Sequence, residues 1–105
     1  MTPTDDIPMR RFSVALREAY GGRLERAVLF GSRARGDARP DSDYDVAVFL
    51  NEFESFGVEA HRLAVIETDF LFDTGAVINT MPFAAGAYGR PTPLMGELRR
   101  DGRDL

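Results

Sequence analysis

Two short apolar segments, each bounded by residues that do not continue it, most constrain the fold of this chain. Arg26–Phe30 stops at Gly31, and Asp43–Leu50 opens with acidic residues before it becomes apolar. A short apolar run bounded by turn residues is typical of a strand buried in a sheet. The segment from Ser32 to Ser42 contains glycine, proline, three arginines and two aspartates. We therefore predict two strands joined by an irregular loop with no regular element.

Periodicity and capping residues place the other elements. Apolar residues that recur every three or four positions indicate amphipathic helices, and Asp6 and Pro8 suit the start of the first one. The predicted elements are, in chain order, a helix at Met9–Tyr20, strands at Arg26–Phe30 and Asp43–Leu50, a helix from about Val58 to Asp73, a strand at Ala76–Thr80 and a short helix from Pro93 toward Gly102. We expect the Gly-rich and Pro-rich segment Met81–Pro91 to be an irregular connection.

This order of elements predicts the fold class and the domain organisation. Helix, strand, strand, helix, strand, helix is typical of a small α/β (α+β) domain in which helices pack on a mixed sheet, here of about three strands. A chain of 105 residues has room for one such domain. We predict a single domain over residues 1–105, with residues 1–6 as a flexible tail.

The composition excludes several classes of protein. The chain has no cysteine, which rules out a disulfide scaffold, a thiolate zinc site and a cysteine nucleophile. No apolar run approaches the roughly 18 residues of a membrane span, and the N-terminus lacks the basic and apolar regions of a signal peptide. We therefore expect a cytoplasmic protein without a membrane partner.

The charge of the chain bears on its partners. A net charge of -4 disfavours nucleic acid as the main partner, because a protein that binds many phosphates needs a basic surface. All 13 basic residues are arginine, whose fixed charge and planar donor group suit individual contacts with phosphate or carboxylate. A local arginine can therefore bind a phosphate even though the whole chain is acidic.

The turn after the first strand and the start of the second strand carry residues suited to phosphate chemistry. Gly31 has no Cβ and lets a ligand approach the backbone, while Ser32 offers an N–H and a hydroxyl. Asp43 and Asp45 lie on the same face of a strand, about 6.6 Å apart along it. Because Mg²⁺ prefers a few carboxylate oxygens completed by water and substrate phosphates, the pattern indicates metal-assisted attack on the phosphorus of a nucleoside triphosphate.

Asp-x-Asp alone is weak evidence, because acids at the start of a strand are usually just solvated. The combination is more specific. Gly-Ser after one apolar strand, followed by Asp-x-Asp at the start of the next, is required neither by core packing nor by solubility. We therefore interpret Asp43 and Asp45 as candidate metal ligands.

The segment Phe30–Val46, which contains FGSRARG and then DSDYDV, closely resembles the minimal nucleotidyltransferases of the DNA polymerase β-like superfamily. Their signature is Gly-Ser or Gly-Gly, a short gap and then Asp-x-Asp, and the length and element order of the chain also fit one minimal catalytic domain. The resemblance implies that Asp43 and Asp45 are catalytic, that they hold Mg²⁺, and that ATP is the substrate. It places the nucleotide against Gly31, Ser32, Arg33 and Arg35.

The chain departs from the family pattern at a third acid, which usually lies on the next strand and serves as a base and a metal ligand. The strand predicted at Ala76–Thr80 has no carboxylate, and Asn79 is the expected occupant. An amide can coordinate a metal but cannot accept a proton at neutral pH. Asp69 or Asp73 could substitute from the preceding helix, although either one is more commonly an exposed helical acid. We expect His61 to be a surface or half-buried residue rather than a base.

The motif and the resemblance lead to three hypotheses for the function. The first is transfer of AMP from ATP to a protein hydroxyl, since family members this small are often antitoxins that adenylylate a tyrosine of an all-helical HEPN toxin.

The second is a catalytically weak or inactive module that neutralises such a partner by direct binding. The missing third acid favours it, as do apolar residues expected to be exposed at Phe83–Tyr88 and Leu94. The third is transfer to a small hydroxyl compound such as an aminoglycoside, although such enzymes generally carry a further domain. Assembly into a homo-oligomer stays open in each case.

Overall fold

The computed structural model describes residues 6–105, so the tail predicted at residues 1–6 lies outside the described residues except for Asp6. The elements are, in chain order, α1 (Ile7–Tyr20), β1 (Leu24–Phe30), α2 (Ser32–Arg35), β2 (Tyr44–Leu50), α3 (Phe56–Thr74), β3 (Ile78–Ala84), α4 (Pro93–Asp101) and β4 (Arg103–Asp104). Short 3₁₀ turns follow α1 at Gly21–Arg23 and β3 at Ala87–Gly89. Within this described part, no helix combines the length and the apolar character needed to cross a membrane.

The strands form a mixed sheet in the order β3-β2-β1-β4. β1 is antiparallel to both β2 and β4, whereas β2 and β3 are parallel, with α3 as the connection between them. The structure confirms the predicted small α+β domain with a mixed sheet. Among the described residues it adds a fourth strand, the two-residue β4, to the three that were predicted.

Two segments predicted to be irregular contain regular structure. The loop predicted at Ser32–Ser42 begins with the one-turn helix α2, which is flanked by two glycines of positive φ, Gly31 at 75° and Gly36 at 84°. The connection predicted from Met81 begins as a continuation of β3, because β3 pairs with β2 along its whole length. The first correction matters for function, because it gives the glycine-serine turn a defined geometry.

Side-chain caps set the starts of the longer helices. Asp6 accepts a hydrogen bond from the backbone N–H three residues further on, as predicted for α1, and Thr92 does the same for α4. Ser55 caps α3 in the same way. As a result α3 begins at Phe56, two residues before the predicted start at Val58.

The sheet separates two apolar clusters, and successive residues of β2 alternate between them. Val46 and Val48 pack with α1 and α3 on one face. Ala47 and Phe49 lie on the other face, beneath α4. Because side chains on a strand alternate with a period of two, Asp45 shares the α4 face of the sheet.

Candidate active site

Gly31 follows directly after β1, and its backbone lies against the carboxylate of Asp45. Gly31 has a φ of 75°, and a Cβ at this position would lie 2.6 Å from Asp45 Oδ2. A side chain is therefore excluded both by the backbone conformation and by the close approach. Ser32 follows as the first residue of α2 and is half-buried. The structure thus brings the predicted phosphate-binding turn into contact with a predicted metal ligand.

The two aspartates lie where β2 begins, next to the start of β3. Asp45 is paired with Asn79 across the parallel β2–β3 ladder, and Asn79 Nδ2 donates a hydrogen bond to Asp43 Oδ2 at 3.1 Å. Asp43 is exposed and Asp45 is half-buried. We call the resulting group of residues the Asp-x-Asp site; it consists of Gly31, Ser32, Asp43, Asp45 and Asn79.

The surroundings of Asp45 affect its ionisation. Partial burial raises the pKa of Asp45 above its ordinary value, and a hydrogen bond from Asn79 acts in the opposite direction. The charges of Asp43 and Glu97 raise this pKa further, whereas the Arg35 guanidinium lowers it. Two residues from other elements, one on α2 and one on α4, therefore lie within electrostatic reach of the site.

The two arginines predicted to bind the nucleotide have different surroundings. The guanidinium of Arg33 donates to the carbonyl oxygens of Ser42 at 2.8 Å and Pro40 at 3.1 Å, and it lies 4.3 Å from the ring centroid of Tyr44. Arg33 therefore holds the end of the loop that leads into β2. Arg35 is exposed and makes one weak ion pair within its own turn, which leaves its charge accessible to an anion.

Glu97 is an acid within electrostatic reach of Asp45 that sequence reasoning did not single out. It is half-buried on α4, whose Met95 and Leu98 pack on the face of the sheet that also carries Asp45. The only signal in the sequence is an acid beside apolar positions at helical spacing, which is common on amphipathic helices. The docking of α4 on the sheet, which a linear pattern does not specify, brings the charge of Glu97 within reach of Asp45.

Asp69 and Asp73 are exposed helical acids, as the sequence favoured, and neither takes the place of the third acid. Both lie on α3, on the opposite side of the sheet, where Asp73 pairs with Arg11 at 2.5 Å. His61 is exposed on the same helix, in agreement with its predicted surface position. The helical pattern identified these acids as surface residues but did not show which face of the sheet α3 covers.

The apolar segment expected to be exposed at Phe83–Tyr88 is packed instead. The Phe83 ring stacks on Phe49 with centroids 5.3 Å apart, and Tyr88 meets the same ring edge-on at 5.7 Å. Leu94 packs against the same cluster. Phe83, Tyr88 and Leu94 are therefore half-buried rather than exposed, because the extended β3 and the following 3₁₀ turn bring both aromatic rings onto Phe49.

The donor set of the Asp-x-Asp site fits Mg²⁺. Asp43 and Asp45 offer carboxylate oxygens, and Asn79 offers an amide oxygen, all of which are ligands that this hard cation accepts. Within residues 6–105, no group of three or more His, Cys, Asp or Glu side chains comes together as a metal site. A partial protein ligand set is typical of Mg²⁺ that is bound jointly with substrate phosphates and water.

Comparison with known proteins identifies the family. The family model described as a nucleotidyltransferase domain matches residues 9–83, a range that includes the whole Asp-x-Asp site. The chain belongs to the nucleotidyltransferase family. The matched range of this nucleotidyltransferase ends within β3, so α4 and its Glu97 lie beyond the part that the family model describes.

Two individual proteins resemble this nucleotidyltransferase. It is 33% identical over 77 residues to a protein of Methanocaldococcus jannaschii named "Putative protein adenylyltransferase", and the match covers 73% of this chain and 71% of the relative. A crystal structure described as that of "a putative nucleotidyltransferase" from Sulfolobus solfataricus superposes with a TM-score of 0.54. That likeness covers 92% of this chain and 80% of the other at 18% identity, and it shows a shared fold.

Proposed function

We propose that this nucleotidyltransferase transfers AMP from ATP to a hydroxyl group of a protein in a Mg²⁺-dependent reaction. We also propose that it acts as an antitoxin on a HEPN-type toxin. The observation that carries the proposal is the contact between the Gly31 turn and Asp45, with Asp43 alongside. The name of the M. jannaschii relative supports a protein as the acceptor. The toxin partner is supported by the resemblance to minimal nucleotidyltransferases.

The triphosphate would bind at the turn that follows β1. Gly31 keeps the space beside Asp45 free of a side chain, so a phosphate can approach both the backbone and the carboxylates. Ser32 adds a hydroxyl at the same turn, and Arg35 adds an accessible positive charge. Arg33 would contribute to nucleotide binding by holding the loop that carries the chain into the site.

Asp43 and Asp45 would hold Mg²⁺. When it is bound, the ion supplies charge neutralisation at the phosphates and at the departing pyrophosphate. The hydrogen bond from Asn79 to Asp43 keeps one carboxylate oriented at the start of β2.

The attacking hydroxyl needs a proton acceptor, and Asn79 cannot provide one at neutral pH. We assign this role to Glu97, because it is a half-buried acid on α4, the helix that packs on the face of the sheet carrying Asp45, and its charge reaches Asp45. In the proposed reaction the acceptor oxygen forms a bond to the α-phosphorus, and the bond from that phosphorus to the bridging oxygen breaks. Pyrophosphate leaves, and the hydroxyl proton passes to the Glu97 carboxylate.

The first test measures transfer of label from α-labelled ATP in the presence of Mg²⁺. An extract of the cells that encode the protein provides the acceptor, and the wild type is compared with the Asp43→Ala, Asp45→Ala double variant. A labelled protein band that appears only with the wild type supports the proposal, and its mass identifies the acceptor. The exposed loop variant Asp41→Ala is the matched control and should label as the wild type does. Equal labelling by the double variant would remove the assignment of the two aspartates.

The role of Glu97 is tested separately with the acceptor found in this way. Glu97→Gln removes the base but keeps the shape of the side chain, so transfer should fall by about a hundredfold or more. Binding of ATP, measured by calorimetry, should change much less. The control is Glu18→Gln on α1, which lies on the opposite side of the sheet. Transfer that is unaffected by Glu97→Gln would assign the proton to another group.

A non-catalytic binding module is the second candidate function, and the amide of Asn79 in place of an acid favours it. In that case the Asp43→Ala, Asp45→Ala variant would still suppress the partner, and no label would be transferred. The packing of Phe83 and Tyr88 on Phe49 leaves less apolar surface for such a module than first expected.

A further inference from the structure

β3 is an edge strand of the sheet. In the described part of the chain it pairs with β2 on one side and with no strand on the other. It is seven residues long, and Met81 within it and Val77 just before it are 41% and 44% exposed. A long edge strand with exposed apolar side chains is a template on which another chain can pair, and proteins commonly block such edges. A second copy of the chain would add its own strand here unless a feature of this edge prevented it.

The pairing of β2 with β3 determines which backbone groups of β3 face outward. The Tyr44 N–H donates to the Val77 carbonyl at 2.9 Å, and the Ala85 N–H donates to the Leu50 carbonyl at 2.9 Å. In a parallel pair, every second residue of a strand directs both its N–H and its C=O to the same neighbour. The odd-numbered residues from 77 to 85 therefore bond to β2, and the even-numbered ones face the outer edge. The outward positions of β3 are Ile78, Thr80, Pro82 and Ala84.

The first of the two central outward positions, Thr80, has its N–H bound by a side chain of the same chain. The Thr80 N–H donates to Glu67 Oε2 at 3.4 Å, and the Thr80 hydroxyl donates to the same oxygen at 3.4 Å. Glu67 reaches this position from α3 and is half-buried. Burial raises the pKa of Glu67, and the two bonds from Thr80 act in the opposite direction. The donor that an added strand would need at Thr80 is therefore already occupied.

The second central outward position has no donor. Pro82 lacks a backbone N–H, and its ring occupies the space in which the carbonyl of an added strand would lie. The pairing with β2 loses nothing, because the odd-numbered residues of β3 make those bonds. The remaining outward positions, Ile78 and Ala84, are about 20 Å apart along the strand. Two donors at that distance do not form a continuous ladder with an added strand.

We propose that Glu67 and Pro82 together close the outer edge of β3 to a strand from a second copy of the chain. Asn79 lies on β3 directly before Thr80 and belongs to the Asp-x-Asp site, so an added strand would run beside that site. A closed edge keeps this approach to the site open. The proposal does not rest on the proposed function.

Amide hydrogen exchange of the full chain, followed by NMR at low protein concentration, tests the role of Glu67. The Thr80 amide should be protected in the wild type, and in Glu67→Ala it should exchange about fivefold faster or more, as expected for the loss of one hydrogen bond. Glu67→Gln is the matched control, because it loses the same charge but keeps an oxygen acceptor, and it should retain most of the protection. Equal exchange rates of the Thr80 amide in the wild type and in Glu67→Ala would overturn the proposal.

Self-association, measured by sedimentation velocity, tests the closed edge itself. The double variant Glu67→Ala, Pro82→Val frees the N–H of Thr80 and restores an N–H at position 82, whereas the control Glu67→Gln, Pro82→Val keeps an acceptor at Thr80. The first variant should associate at least about tenfold more tightly than the control, as expected for restored hydrogen bonds between strands. Its Thr80 amide should become protected again as the concentration rises, which locates the association at this edge.

Two results would overturn the proposal. One is a double variant that is folded by circular dichroism and associates no more tightly than its control. The other is a wild type whose Thr80 protection increases with concentration, because its edge would then already be open. If the double variant does not fold, the exchange rates of the wild type and of the single Glu67 variants decide.

Discussion

The side-chain amide of Asn79 donates a hydrogen bond of 3.1 Å to Asp43 Oδ2. A carboxylate at this position, as in the minimal nucleotidyltransferases that the sequence resembles, could not donate this bond when ionised and would repel its neighbours. The amide therefore allows two acids to lie side by side without a cation. Because an amide cannot accept a proton at neutral pH, β3 then supplies no base to the site.

Asn79→Asp should make the stability of the fold depend more strongly on Mg²⁺. The change removes a hydrogen-bond donor and adds a third negative charge beside Asp43 and Asp45, so stability in EDTA should fall by about 1 kcal/mol. Three carboxylates bind a divalent cation more tightly than two, so added Mg²⁺ should raise the melting temperature more than it does for the wild type. Asn51→Asp, an exposed change of the same kind after β2, is the control. Equal responses of the two variants to Mg²⁺ would contradict the prediction.

Asp45→Asn should stabilise the protein at neutral pH while abolishing transfer. Burial raises the pKa of Asp45, so the folded state keeps this proton to a higher pH than the unfolded chain does. Stability therefore falls as the pH rises from the unfolded value of about 3.9 through the higher folded value. The variant should melt above the wild type at pH 7, and the difference should vanish near pH 3. Asp41→Asn, in the exposed loop, should show no such difference, and a lower melting temperature for Asp45→Asn at pH 7 would refute the argument.

Gly31→Ala and Gly36→Ala separate two effects of a glycine, because both positions have positive φ. Gly36→Ala adds only backbone strain, since no atom lies within 4 Å of the new Cβ, and it should cost about 1 kcal/mol. Gly31→Ala adds similar strain and also places a Cβ 2.6 Å from Asp45 Oδ2. ATP binding, measured by calorimetry, should weaken at least about tenfold for Gly31→Ala and change little for Gly36→Ala. Equal losses of affinity would show that the close approach to Asp45 has no role.

Local sequence patterns predict that Gly31, Asp43 and Asp45 lie together, but they do not predict Glu97, and the reason is physical. Gly31 follows β1, and the two aspartates lie at the start of the adjacent antiparallel β2, so the pairing of these strands already brings them together. Glu97 comes within electrostatic reach of Asp45 only because α4 docks on the sheet, and β4 follows where α4 ends at Gly102. A Cβ at Gly102 would lie 2.3 Å from Leu98 O and 2.5 Å from Val28 Cγ1. The approach to Leu98 is local to the end of α4, but the approach to Val28 on β1 is tertiary, and no spacing in the sequence encodes it.

Arg33 and Arg35 should respond differently to replacement by lysine. Arg33→Lys loses the forked contact with the carbonyl oxygens of Ser42 and Pro40, together with the stacking on Tyr44. Its melting temperature should fall, and transfer should fall with it. Arg35→Lys keeps an accessible positive charge, so stability should be unchanged and the KM for ATP should rise only a few fold. Thermal unfolding and steady-state kinetics on both variants check this, and a stable Arg33→Lys variant would argue against a role in holding the loop.

Arg23→Ala should destabilise the protein through the fully buried carboxylate of Glu59. Burial raises the pKa of Glu59, but hydrogen bonds from the Glu54 N–H and the Arg23 guanidinium outweigh it, so this pKa lies below its ordinary value. Loss of one partner of a buried pair commonly costs about 3–5 kcal/mol of stability. Because Arg62 Nη1 remains 3.4 Å from the Glu59 carboxylate, we expect the free energy of unfolding to fall by about 2 kcal/mol at pH 7.

The effect should depend on pH. An acid whose pKa is lowered in the folded state stabilises the fold above its unfolded pKa, here about 4.3, and this contribution is lost as the pH falls through the folded pKa. Urea unfolding should therefore separate the variant from the wild type at pH 7 and bring the two together on acidification. The exposed control Arg39→Ala should match the wild type throughout, and a gap between Arg23→Ala and the wild type that does not narrow in acid would place the cost in packing rather than in the ion pair.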